Sequence, residues 1–136
     1  MSDLHVWVRL ADEHYALPVD DVSEVADLGE VTPVPGAGSA VVGVRNLRGR
    51  VLPIVDLAAV LGLAPCSAPE RIVIADHEGR SAGLAVDSVA GVQQLPEPSE
   101  DVESPHLVGA SLTDGTLVGV VDVGSVLDAV QAENAK

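Results

Sequence analysis

Phenylalanine is absent from the 136 residues, and tryptophan, tyrosine, methionine and cysteine occur once each. A core without aromatic bulk has to come from aliphatic side chains, and valine, with 25 copies, is the commonest residue. Valine is stiff at χ1 and suits strands, so these two features together point to a mainly β protein. The lone thiol, Cys66 in "LAPCSAP", rules out an intrachain disulfide and has no metal-ligand spacing around it. The histidines His5, His14, His77 and His106 are scattered, with no pair spaced like a metal site, so neither a metal nor another cofactor is expected. Positive charge is also scarce: 7 Lys and Arg stand against 21 Asp and Glu, a formal charge of −14. That balance repels phosphate backbones and anionic lipid, so neither nucleic acid nor direct membrane contact is expected. No apolar run approaches the roughly 20 residues needed to cross a bilayer, and "MSDLHVWV" lacks the order of a signal peptide. The expected location is the cytoplasm.

What the chain does contain is a repeat of itself. A shift of 67 positions aligns "YALPVDDVSEVADL" with "AGLAVDSVAGVQQL", pairing Leu17 with Leu84, Val19 with Val86, Val22 with Val89 and Val25 with Val92. A shift of 66 aligns "VVGVRNLRGRVLPIVDLAAVL" with "LVGASLTDGTLVGVVDVGSVL", pairing Gly43 with Gly109, Gly49 with Gly115 and Asp56 with Asp122. Two copies cannot build a solenoid or a propeller, so the pattern predicts one domain over 4–130, with repeat units at about 4–66 and 70–130 and a polar tail at 131–136. Each unit reads as a strand, a polar turn, a second strand, a short irregular turn, a third strand, a hairpin and a closing helix. Five short strands per unit predict two pseudo-symmetric, SH3-like β-barrels with short helices, in which closure would remove the exposed edges. "GAGSAVVG" reads as a flexible loop, and "LPEPSEDVESP" as a solvated loop inside the second unit.

Catalytic patterns are scarce. Asp56 and Asp122 invite an aspartic-dyad reading, but each immediately precedes a helical pattern, where a carboxylate caps the first turn. Neither a nucleophile elbow nor a phosphate-binding loop is present. The unusual feature is "RNLRGR", which gathers Arg45, Arg48 and Arg50, three of the seven basic residues. The repeat places Ser111, Asp114 and Thr116 at the matching positions, so the shared framework does not itself require arginine. Two readings stand: charge balance on a hairpin surface, or an interaction surface exploiting the multi-donor guanidinium.

Three ordered blocks, "HYALPVDDVSEV", "TPVPGAGSAVVGVRNLRGRVLPIVDL" and "AGLAVDSVAGV", resemble those of the CheW family of bacterial chemotaxis coupling proteins, and the similarity runs from about Val6 to Leu127. The departure is at the start, where family members often carry Phe-x-Leu and this chain has Trp7 and Val8 nearby. The resemblance implies two intertwined five-stranded barrels with a groove between them and a non-catalytic adaptor at membrane-associated receptor arrays. It implies two partners, the cytoplasmic tip of a chemoreceptor and the CheW-like regulatory domain of a histidine kinase. Arg48 and Asn46 match the family's Asn-Leu-Arg-Gly motif, Glu24 matches its acidic position, and Val22, Val25, Val86 and Val89 fall in segments implied to line or border the receptor groove. Arg48 then either contacts a partner or pairs with Glu24 and shapes the groove. A CheW-like scaffold of a pilus-motility or developmental pathway would use the same surface.

Overall fold

The computed structural model describes residues 3–66 and 68–134. In chain order the elements are β1 (Leu4–Leu10), β2 (Glu13–Pro18), a 3-10 turn (Val19–Asp21), β3 (Val22–Asp27), β4 (Val41–Leu47), β5 (Arg50–Asp56) and α1 (Leu57–Val60). The second half supplies β6 (Arg71–His77), β7 (Arg80–Val86), β8 (Ser88–Gln94), β9 (Leu107–Thr113), β10 (Thr116–Val121) and α2 (Val123–Asn134). The repeat therefore yields five strands twice, but the five do not stay together. One sheet runs β3-β6-β7-β5-β4 and the other β8-β1-β2-β10-β9. Each opening hairpin has crossed to the other unit's last three strands. Each hairpin makes one parallel join, Gly83–Ala85 beside Ile54–Asp56 and His14–Ala16 beside Val118–Val120, and one antiparallel join, β6 with β3 and β1 with β8. The result is two intertwined five-stranded, SH3-like barrels, which we call the first (holding β3, β4 and β5) and the second (holding β8, β9 and β10).

This exchange explains why the strands read as valine-rich runs rather than alternating patterns, because the central strands are buried on both faces. Along β1, Val6, Val8 and Leu10 enter a core shared by the two barrels, while Trp7 points the other way, into the second barrel. Along β6, Val73 and Ala75 enter the shared core and Ile72 and Ile74 fill the first barrel. Each fully buried Val or Leu contributes about 1.5–3 kcal/mol relative to exposure.

Closure is incomplete. The hydrogen-bonded order ends at β3 and β4 in one barrel and at β8 and β9 in the other, so each keeps a seam where edge removal was expected. The loops cover part of the outer edges instead. Thr32 bridges Val44 and Glu100 bridges Ala110. The proline-rich 95–105 loop is thus partly an edge cover, and "GAGSAVVG" is tied down through Val41 N to Gly38 O (3.0 Å) and Asp56 N to Ala40 O (2.8 Å).

Three hairpin tips, Arg48-Gly49, Glu78-Gly79 and Asp114-Gly115, hold both central residues at positive φ, the turn whose twist matches flanking strands. α1 is a single turn. α2 continues to Asn134, so most of the expected polar tail is helical, and residues 135–136 lie outside the described ones. Among the described residues no helix is long and apolar enough to cross a membrane.

Candidate functional site

All three arginines of "RNLRGR" leave the β4–β5 hairpin to meet other strands. Arg48 Nη2 donates to Glu24 Oε2 on β3. Arg45 Nη1 donates to the Asp27 carbonyl at the end of β3, and its guanidinium lies over Gly29, where a Cβ would sit 2.9 Å from Arg45 Cζ. Both arginines span the seam that backbone hydrogen bonds leave open. Arg50 Nη2 donates to Ser81 Oγ at 2.6 Å and lies 3.5 Å from Asp76 Oδ1. Burial raises the Asp76 pKa, but hydrogen bonds from Ser81 and Ser23 and the Arg50 charge outweigh it, holding the carboxyl below its usual range. Asn46 braces the turn, its Oδ1 accepting from Gly49 N at 2.9 Å.

The repeat shows why only the first barrel can be stapled this way. The counterparts of Glu24 and Asp27 are Gly91 and Gln94, and those of Arg45 and Arg48 are Ser111 and Asp114. Arg50 balances the Asp76 carboxylate, as a charge-balance reading expects, whereas Arg45 is held by a backbone carbonyl; the asymmetry between the repeats singles out both arginines but does not name their partners. Arg48 keeps 69% of its side-chain surface exposed even while paired. It also sits at φ 51, a left-handed position that Asn, Asp or Gly adopts more readily. The turn itself therefore disfavours arginine, and the side chain is what the position gains.

The valines separate into three environments. Val22 and Val89, partners in the repeat, are half-buried against the shared core. Val25 is exposed at 37% and lies on the opposite face of β3 from the half-buried Glu24, as the alternating burial of that strand requires. Val86 corrects an expectation: its side chain is fully buried in the shared core, so it can support a groove from beneath but has no surface for a partner. Glu24, Arg48 and Asn46 thus form one cluster, with Val22 two residues along β3. A cleft of about 550 Å³ against β2, β9 and β10 is lined by none of these seven residues.

The carboxylates with catalytic potential are committed to helix starts. Asp56, 8% exposed, accepts from Ala59 N at 3.3 Å and from Cys66 N at 2.9 Å. Asp122 accepts from Ser125 N at 3.1 Å. Each caps the helix that follows it, and the dyad reading gives way to capping. Burial, followed by the nearby Asp56 and Asp87 carboxylates, pushes the Cys66 thiol up to about 12, which keeps it protonated and poorly nucleophilic at neutral pH. Among the described residues no group of three His, Cys, Asp or Glu side chains could hold a metal ion.

Comparison with known proteins agrees with this arrangement. A domain model described as the CheW-like domain matches residues 5–131. "Chemotaxis protein CheW" of Rhizobium meliloti (strain 1021) is 32% identical over 137 residues, spanning 93% of this chain and 88% of that protein. "Protein PilI" of Pseudomonas aeruginosa is 36% identical over 107 residues, spanning 77% of this chain and 60% of PilI. Among solved structures, the scaffolding protein TtCheW from Thermoanaerobacter tengcongensis aligns with a TM-score of 0.80 at 30% identity, covering 90% of this chain and 86% of that one.

Proposed function

Because the chain belongs to the CheW-like domain family, we propose that it is a non-catalytic cytoplasmic adaptor. It couples the cytoplasmic tip of a chemoreceptor to the CheW-like regulatory domain of a histidine kinase at membrane-associated receptor arrays. The observation that carries this reading is the Glu24–Arg48 pair, held at the seam of the first barrel with most of the arginine still open to solvent. A pre-paired guanidinium costs little to immobilise on binding and can share its remaining N–H groups with a partner carboxylate. The partner surface consists of Glu24, Asn46 and Arg48 with Val22 and Val89, over a floor that includes Val86, while Val25 lies on the opposite face of β3 and outside this surface. A receptor tip of two antiparallel helices would lay an apolar stripe on the valines while the charged pair sets register. Titration calorimetry with a receptor cytoplasmic fragment and, separately, with the kinase regulatory domain tests the proposal. Saturable binding to both is expected, and binding to neither would sink it.

The likeness to PilI favours a second reading, a scaffold of a chemosensory kinase outside the flagellar pathway. Both readings use one surface, so the kinase that co-purifies from the source cell distinguishes them.

A further inference from the structure

The repeat makes the outer faces of the two barrels comparable position by position. On the first barrel, Pro53, Arg80 and Ser81 face the later part of α2, whose Leu127, Val130 and Gln131 complete a cleft of about 230 Å³, and Arg80 is ion-paired with Asp128. The matching residues on the second barrel are Gly119, Glu13 and His14, and all three line the cleft of about 550 Å³. Among the described residues no helix lines it. α1 holds the place of α2 in the first repeat but stops after one turn at Val60. The positions matching Leu127, Val130 and Gln131 are Leu61, Ala64 and Pro65, which fall beyond its end and line no part of that cleft. One of two equivalent faces therefore carries a helix and the other is open.

The open face is apolar and accessible. Leu112 and Leu117 are cross-strand partners on β9 and β10, 57% and 53% exposed, and the next pair along, Ala110 and Gly119, is small. The Tyr15 ring covers Gly119, where a Cβ would sit 2.8 Å from it. At the positions of Leu112, Leu117 and Gly119 the first barrel has Asn46, Val51 and Pro53, so the second presents more apolar side-chain surface beside a deeper floor. A single exposed leucine is ordinary, but two side by side at the lip of a cleft mark a contact surface. Charge on the rim is reversed between the barrels. Glu13 stands where the first barrel has Arg80, is exposed, and has no cationic partner among the described residues, whereas Asp12 beside it lies 3.8 Å from Arg9. The Glu13 carboxylate is turned toward the cleft: burial, followed by the charge and hydrogen bond of Glu13, raises the Tyr15 pKa.

We propose that this face of the second barrel receives an amphipathic helix of a partner protein, with two apolar side chains three positions apart against Leu117 and Gly119 and a lysine or arginine paired with Glu13. The arrangement repeats that of α2 on the first barrel, Leu127 and Val130 beside Asp128 on Arg80, with the two charges exchanged. A second copy of this chain offering its own α2 would bring Asp128 against Glu13, a like-charge contact. Strand addition is obstructed, because Glu100 already bridges the outer edge of β9 at Ala110.

Tyr15 is the only tyrosine and phenylalanine is absent, so the tyrosine ring signals of a ¹³C-labelled sample read the cleft without overlap. The probes are two peptides stapled on the side away from Leu127 and Val130, one with the α2 sequence Val123–Asn134 and one with the same sequence carrying Asp128→Lys. Saturable shifts of the Tyr15 ring are expected with the lysine peptide, which should bind about three- to tenfold tighter than the unaltered one, the scale of an exposed ion pair gained and a like-charge contact removed. Glu13→Lys in the protein should reverse the preference, and Leu117→Asp should abolish binding; both residues are exposed, and circular dichroism should show both variants folded. Equal binding of the two peptides, or an unreversed preference in Glu13→Lys, would overturn the assignment, as would no saturable shift with either peptide. Tyr15 shifts that grow with protein concentration alone would give the face to a second copy and overturn it as well.

Discussion

Arg48→Asn separates a partner-binding role from an architectural one. In the folded protein the change removes the bond to Glu24, but the two side chains are 69% and 33% exposed, and a pair so open to solvent contributes about 0.2–1 kcal/mol. Against that loss, Asn adopts the left-handed conformation at φ 51 more readily than Arg, a gain of up to about 1 kcal/mol. The two terms nearly cancel, so Tm should stay within about 5 °C of the parent for a chain of this size. Binding is different, because a guanidinium at the centre of a contact contributes at least about 1.4 kcal/mol, a tenfold change in Kd. Thermal melting by circular dichroism and titration calorimetry with the receptor fragment and the kinase regulatory domain measure the two effects on one sample. A Tm lowered by more than about 10 °C would show that the ion pair closes the barrel and that the cancellation is wrong. Unchanged Tm and unchanged affinity would remove Arg48 from the partner surface.

The two capping aspartates should differ. Asp122→Ala loses a cap, about 1 kcal/mol, whereas Asp56→Ala also strands the Cys66 amide and should cost about 2–3 kcal/mol in urea unfolding; equal losses would contradict the second contact. Gly43→Ala would put a Cβ 2.3 Å from the Thr32 carbonyl oxygen, a backbone atom that cannot swing aside. It should cost about 1–3 kcal/mol and speed hydrogen exchange at Thr32 and Val44, and slow exchange at both would refute the edge-cover role. The pKa of His77 is raised, chiefly by its hydrogen bond with Asp21 at 3.1 Å. The stability this contributes is fully present below the unfolded value near 6.5 and is lost as pH rises through the raised one. His77→Gln should therefore lower Tm more at pH 6 than at pH 9, and a pH-independent difference would argue against the pairing.

Local features were legible in the sequence because local rules govern them. Asp-Gly and Arg-Gly marked hairpin tips, and Asp56 and Asp122 marked helix starts, whereas the close approach of an edge-covering loop at Gly43 and at Gly109 emerged only from the fold. The exchange of hairpins between barrels was not legible from the residues, since a strand buried on both faces carries no alternation to say which neighbour it takes; only the family resemblance implied intertwining. The fate of the valines was hidden for the same reason. Val86 and Val89 sit three residues apart in similar surroundings in the sequence, yet one is in the core and the other half-exposed at its margin. For the arginines, the repeat comparison identified them as peculiar to the first copy, but their partners on β3 and β7 come from the tertiary fold alone.

The most direct test of the adaptor account is kinase autophosphorylation in a reconstituted mixture of receptor fragment and histidine kinase, with and without this protein. The account predicts that receptor control of the kinase appears only when the protein is added and is lost with a charge-reversed Arg48→Glu variant that remains folded. Kinase activity indifferent to the protein, at concentrations where all components are folded and present, would contradict it.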